Sequence, residues 1–225
     1  MLLSLLSGKL DFMSAVAQVL ASLVVIFLIM PFHEWAHAFT AYKLGDTSVK
    51  YRGRLSLNPI EHIDPIGALM IILIGFGWAK PVPIDDRNFK NPKVGMGITA
   101  FAGPLANFAA ALLGGLILNA YVTFAGSFIV GNNIGYYIYV FFLYYIVLNI
   151  SLAVFNLVPI PPLDGSKILF MFLPDKLVYS FYKYENIFFV VILVLIWFNV
   201  LPLDFIEKAL GNFVLWLTGL PFSFF

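Results

Sequence analysis

Residues Ala15–His37 read AVAQVLASLVVIFLIMPFHEWAH, and this stretch decides the architecture. The run from Ala15 to Phe32 is apolar and carries no charge, close to the ~20 residues a helix needs to cross a hydrocarbon core. The next five residues are His33-Glu34-Trp35-Ala36-His37. Two histidines four apart lie one turn apart on one helix face, where their imidazoles can share one metal ion. Glu34 adjoins the first of them, placed to act as a general base on an attacking water. A carboxylate at mid-bilayer costs about 2.5–3.5 kcal/mol on insertion scales, so polar groups in such a helix are functional by default. The stretch therefore predicts a zinc-dependent hydrolase with its catalytic site inside the membrane.

Composition agrees. Of 225 residues, 61% are hydrophobic and 11% charged, against roughly 25% charged in soluble domains. The mean hydropathy is +0.94, the mark of an integral membrane protein. A net charge of +1 gives no electrostatic reason to expect nucleic acid. The chain has no cysteine, which excludes disulfides and any Cys-based zinc site. The N-terminal apolar stretch runs straight into the metal motif, so it is not read as a cleavable signal.

The fold class expected is an all-α polytopic membrane protein with about five to six transmembrane helices and a short re-entrant or β-hairpin element. The first span is Ser14–Met30, continuing through a kink or break at Pro31 into the motif and ending near Gly45. Gly95–Val122, Tyr136–Val158, Ile187–Leu201 and a shorter Phe205–Leu220 follow. Ile66–Ala79 is apolar but contains Gly67, Gly75 and Gly77, and its length suits a re-entrant element better than a span. Val49–Leu57 alternates apolar and polar residues, which suggests a short strand. Trp78–Ile84 holds two prolines and reads as an extended edge. The whole of 1–225 is read as one domain, with a core at about 14–170 and additional spans in 184–225.

Charge sets the orientation. Eleven of the thirteen Lys and Arg residues fall in 43–65, 80–93 and 167–183, whereas 123–135 has no charge. By the positive-inside rule the basic stretches face the cytoplasm, with the N-terminus outside and the His-Glu motif near the cytoplasmic end of its helix. Such a charge bias suits a prokaryotic plasma membrane.

A catalytic zinc wants three protein ligands and one open position. The chain has three histidines, and two are in the motif. Asp164, in Asn156-Leu-Val-Pro-Ile-Pro-Pro-Leu-Asp164-Gly165, follows a span that ends on the same side as the motif. By spacing alone it is a ligand or an ordinary turn residue with equal weight, and His62 stays open as an alternative. Asn107 sits in an apolar helix near Gly103 and Ala106; hydrogen-bond glue between helices is its bland role, contact with substrate its sharper one. Asn156 has an amide able to donate to a developing oxyanion, and Asn149 is an equivalent in-span amide on residue type alone. His62 and Asp64 read as a cap or local bond. Lys80, Pro81 and Val82, within the extended segment, are candidate substrate contacts through backbone pairing with an unwound peptide.

Taken together and in order, five motifs resemble the site-2 protease family of intramembrane zinc metalloproteases, in its small prokaryotic form without PDZ or CBS domains. They are HEWAH at 33–37, LNPIEHIDP at 57–65, GWAKPVP at 77–83, GPLAN at 103–107 and the Asn-to-Gly motif at 156–165. The resemblance covers roughly residues 31–170. It implies that His33, His37 and Asp164 bind one Zn2+ per chain, that Glu34 activates water, and that Asn156 polarises the scissile carbonyl or holds the oxyanion. It further implies transmembrane segments of other proteins as substrates and the lipid bilayer as medium. The competing class is a non-proteolytic metal-binding membrane protein, a transporter or pseudoenzyme, which would need no general base beside a ligand and would favour internal repeats. Glycine-rich faces serve packing within and between chains alike, so they set no oligomeric state.

Overall fold

The computed structural model describes residues 11–74, 77–197 and 203–220. Eleven α-helices are described, in chain order: α1 Phe12–Val24, α2 Met30–Leu44, α3 Ser48–Tyr51, α4 Pro59–His62, α5 Pro65–Ile74, α6 Pro92–Gly131, α7 Asn133–Asn156, α8 Asp164–Phe170, α9 Asp175–Lys183, α10 Glu185–Trp197 and α11 Leu203–Leu217. Among the described residues, three helical stretches are long and apolar enough to cross a membrane: Phe12–Leu44, Pro92–Gly131 and Asn133–Asn156. No β-strand occurs among the described residues, and the protein is an all-α integral membrane protein.

The three long stretches pack on one another, α6 along α7, α2 on α6 and α1 on α7. Their shared core is aliphatic and small: Ala21, Val25, Ile26, Ile29, Ala110, Ala111, Leu118, Ile146 and Ile150. Small residues let helices approach closely where lipid supplies no hydrophobic drive between them. Leu20, Phe27, Leu28, Leu105, Leu113 and Phe124 point outward and exposed, the surface a bilayer would cover.

Four expectations are corrected. At Pro31 the helix does not break. A π-helical turn, Val25–Ile29, precedes it, and the Met30 N–H reaches back to the Val25 carbonyl. The widened turn accommodates a residue that lacks an amide and would crowd the carbonyl four positions earlier. Val49–Leu57 forms no strand: Asp46 accepts from the Ser48 N–H at 3.0 Å and starts the one-turn helix α3, after which the chain turns through 52–55. The 123–135 loop is replaced by helix, because α6 runs on to Gly131 across a non-helical Ala125 and meets α7 at Asn132, whose side chain caps it. The hairpin reduces to one isolated antiparallel bridge, Ile63 to Ala79, beside which the Lys80 N–H donates to the His62 carbonyl at 2.7 Å.

That bridge brings the two ends of the 64–78 excursion together. Asp64 caps α5 through the Ile66 and Gly67 amides, and residues 75–76 of the expected re-entrant element lie outside the described residues. Residues 198–202 of the expected Ile187–Leu201 span lie outside them too.

Asp46 ties the polar loops to the end of α2. Its buried carboxylate also accepts from the Asp85 N–H at 2.8 Å and the Asn88 side-chain amide at 2.8 Å. Burial pushes this carboxyl up, but the hydrogen bonds outweigh it and hold it below the usual value of 3.8. A carboxyl depressed on folding stabilises above its unfolded pKa and loses that contribution as pH falls through the lower folded value. Asp46→Ala should therefore cost about 1–3 kcal/mol at neutral pH. Thermal unfolding in detergent should show this penalty constant down to about pH 4 and closing below it.

Candidate metal centre and active site

Three helices and the start of a fourth deliver the site. On α2, His33, Glu34 and His37 are all buried. The His33 Nδ1–H donates to Asn107 Oδ1 of α6, and the His37 Nδ1–H donates to the Thr99 carbonyl of the same helix at 2.7 Å. Donation from Nδ1 fixes each ring in the tautomer whose Nε2 carries a lone pair. The two Nε2 atoms lie 3.0 Å apart. Asp164 Oδ2 is 3.4 Å from the first and 3.0 Å from the second.

Three donor atoms meeting in this way are placed to hold a cation among them. Two imidazole lone pairs and a carboxylate repel when nothing lies between. Ligands held ~2.0–2.2 Å from one tetrahedral ion are about 3.3 Å from one another, close to the separations found. His33, His37 and Asp164 form a buried three-residue cluster able to hold a metal, and the N, N, O set suits zinc. His62 is not part of it. Its Nε2–H donates to the Ser56 carbonyl at 2.7 Å, a local bond that ties down the loop before α4.

The backbone explains how Asp164 arrives. α7 ends at Asn156, the chain turns back through 157–163, and Asp164 opens α8. Gly165 is required there, since a Cβ would lie 2.2 Å from the Leu157 carbonyl oxygen and 2.5 Å from that of Val158. The Asp-Gly pair is thus a turn residue and a presented carboxylate at once. Its other oxygen, Oδ1, faces Lys167 Nζ at 3.3 Å.

The cluster opens into a cavity of about 270 Å³ whose walls include Glu34, Trp78, Pro81, Val82, Asn156 and Lys167. Glu34 Oε2 accepts from the Val82 N–H at 3.3 Å, which links the acid to the irregular segment that follows the Ala79 bridge. Asn156 Nδ2 donates to the Leu152 carbonyl at 2.9 Å, and the residue is half-buried at the wall. Lys80 and Pro81 are exposed. Trp78 packs edge-on against Phe189 of α10, ring centroids 6.0 Å apart, across the cavity rim. Asn107 is engaged by protein on both sides: Oδ1 accepts from His33, and Nδ2 donates to Asn149 Oδ1 at a long 3.5 Å. Asn149 in turn donates to the Tyr145 carbonyl at 2.9 Å. Asn107 thus bonds across to His33 and Asn149, and it also lines the cavity.

Sequence reasoning missed three contributions. Asn149 supports Asn107 from a third helix, Lys167 was counted only as a topology charge, and the Thr99 carbonyl has no side-chain signature. Gly103 entered the sequence reading only as a small residue near Asn107. Its role is sharper, because a Cβ there would lie 2.3 Å from His37 Nε2 and 2.5 Å from His33 Nε2. Gly103→Ala should push both rings off the shared point; bound metal per purified chain should fall by at least about 10-fold with helix content unchanged.

Comparisons with known proteins bear on this geometry. The model of "Peptidase family M50" matches residues 21–199. "Putative zinc metalloprotease YwhC" of Bacillus subtilis (strain 168) is 39% identical over 195 residues, covering 86% of this chain and 84% of that protein. "Putative zinc metalloprotease Rip2" of Mycolicibacterium smegmatis is 31% identical over 138 residues, 59% of this chain and 49% of that one. The Mycobacterium tuberculosis protein of the same description is 28% identical over 137 residues, with the same coverage. The chain thus spans about half the length of these mycobacterial relatives. No solved structure gives a significant match. The matched stretch contains both motif histidines, Glu34, the buried asparagine pair and Asp164, and the chain belongs to peptidase family M50.

Proposed function

We propose that the protein is a zinc-dependent intramembrane endopeptidase that hydrolyses peptide bonds in or near transmembrane segments of other membrane proteins. The observation that carries the reading is the convergence of His33 Nε2, His37 Nε2 and Asp164 Oδ2 with Glu34 in one buried cavity. A metal carrier has no use for a carboxylate adjoining the ligand pair, and a hydrolase does.

On this reading His33, His37 and Asp164 hold one Zn2+ per chain. When bound, zinc supplies Lewis acidity toward the scissile carbonyl and the attacking water. Glu34 takes the proton from that water as its oxygen attacks the carbonyl carbon, then delivers it to the amide nitrogen as the C–N bond breaks. The Val82 N–H holds one Glu34 oxygen, which limits the carboxylate's rotation. Asn156, at the cavity wall, is the side chain assigned to the oxyanion. Asn107 serves the reaction through His33, and so is assigned as a positioning residue. Lys80, Pro81 and Val82 belong to the segment along which an unwound substrate would pair by its backbone.

The membrane arrangement follows. His33 lies about 30 Å along its helix from Phe12, one hydrocarbon thickness, which puts the site near the opposite face. The basic stretches on that side make it the cytoplasmic one, in a prokaryotic plasma membrane. The Ile63–Ala79 bridge supports a re-entrant path for 64–78, entering and leaving on the same side. With α10 and α11 counted, this gives five spans and one re-entrant element in a single domain over 1–225, with its core at about 14–170.

Two experiments test the reading. Glu34→Gln should keep about one zinc per chain while cleavage of a membrane-embedded reporter falls by roughly 10²–10⁴-fold; a fully active variant would exclude Glu34 as the base. Asp164→Ala should lose zinc, whereas His62→Ala should retain it. The reverse pattern would move the third ligand to His62.

A further inference from the structure

We infer that Lys167 is a positioning residue of the metal centre: its ammonium holds one oxygen of Asp164, so that the carboxylate presents only the other to the histidine pair. The inference rests on the reading of His33, His37 and Asp164 as the metal ligands.

The two oxygens of Asp164 are divided between different partners. Oδ2 faces His33 and His37, at 3.4 and 3.0 Å, while Oδ1 lies 3.3 Å from Lys167 Nζ. Lysine and aspartate are three residues apart on α8, so both project from one helix face. A lysine near a membrane surface ordinarily extends its ammonium out to water. This one turns toward the protein, its side chain 31% exposed, and lines the cavity wall near Glu34. The helix that carries it has little room to shift. At Gly97 of α6 a Cβ would lie 2.0 Å from Met171 Sδ and 3.4 Å from the Lys167 carbonyl oxygen.

A carboxylate binds a cation through one oxygen or through both. Rotation of Asp164 about its Cβ–Cγ bond would bring Oδ1 to the ion as a fourth protein donor. That fourth donor would fill the position a catalytic site keeps open. The charge-assisted bond to Lys167 opposes the rotation, because turning Oδ1 inward breaks it. Arginine can hold the same oxygen; methionine and glutamine cannot supply the charge. Metal affinity alone is a poor readout, because losing the ammonium removes both the orientation and a cation–cation repulsion. Those two changes act in opposite directions. Coordination number is the discriminating quantity.

The test is cobalt substitution of the full-length protein in detergent. Co2+ absorbs visible light strongly when four-coordinate and weakly when five- or six-coordinate. Wild type and Lys167→Arg should bind one Co2+ per chain with intense visible bands. In Lys167→Met the bands should weaken, or the metal be lost, and reporter cleavage should fall in parallel and be restored only by the arginine variant. Lys167→Gln, closer in shape and polarity, gives the same readout should the methionine variant fail to fold. Spectra of the methionine or glutamine variant that superimpose on the wild type would overturn the inference while leaving the metal centre intact. If the wild type binds no cobalt or zinc, the metal-centre reading itself fails, and the role of Lys167 fails with it.

Discussion

The histidine pair imposes the constraint from which the rest of the structure follows. Each imidazole has its Nδ1–H committed to α6, to Asn107 in one case and to the Thr99 carbonyl in the other. That commitment points two lone pairs at each other across 3.0 Å in a buried site. Unpaired polar groups cost several kcal/mol in such a place, and facing lone pairs cost more. A cation shared by the two rings and Asp164 relieves the arrangement. The donors behind the rings, the glycine beside them and the carboxylate opposite are then parts of one solution.

The same constraint explains why α6 and α7 are built as they are. α6 must come close enough to receive both Nδ1–H groups without a side chain intruding on the Nε2 side. It therefore offers an amide at Asn107, a carbonyl at Thr99 and no Cβ at Gly103. Asn107 cannot accept from His33 and leave its own N–H groups unpartnered within a membrane. Asn149 supplies the acceptor from α7 and passes its own donor to the Tyr145 carbonyl. A buried polar network of this kind works only when each member is satisfied, because an unpaired member is expensive at low dielectric. The network fixes the ring orientation on which metal binding depends.

How much of this was legible in the sequence depends on the range of each interaction. The i,i+4 spacing of His33 and His37 is local to one helix, and it could be read directly. Asp164 lies more than 120 positions away, and spacing left it balanced between ligand and turn; its Oδ2 meets the rings only because Gly165 lets the chain double back on α7. Lys167 had no signal beyond its charge, since its partner is set by the direction Asp164 takes. Asn156 and Asn149 looked alike by residue type, and only helix packing separates them, Asn156 at the cavity wall and Asn149 behind Asn107. The misread elements failed for local reasons. The alternation in Val49–Leu57 was outweighed by the Asp46 carboxylate just before it, which accepts from the Ser48 N–H, and Pro31 was absorbed by a π-turn over Val25–Ile29.

Glu34 joins the metal centre to the segment proposed to receive substrate. The Lys80 N–H is spent on the His62 carbonyl and the Val82 N–H on Glu34, so alternate amides of this stretch face the protein. In an extended chain the groups of residues 79, 81 and 83 then face the other way. Pro81 and Pro83 have no N–H, and the Pro83 carbonyl already accepts from Arg52 at 3.3 Å. Beyond the Ala79 amide, the outward edge therefore offers acceptors without donors, which prevents it from pairing with a copy of itself. An unwound transmembrane helix, whose freed N–H groups have no water to bond, is the partner such an edge suits. Docking there would also bear on the residue whose amide holds Glu34, which ties recognition of the unwound peptide to the position of the base.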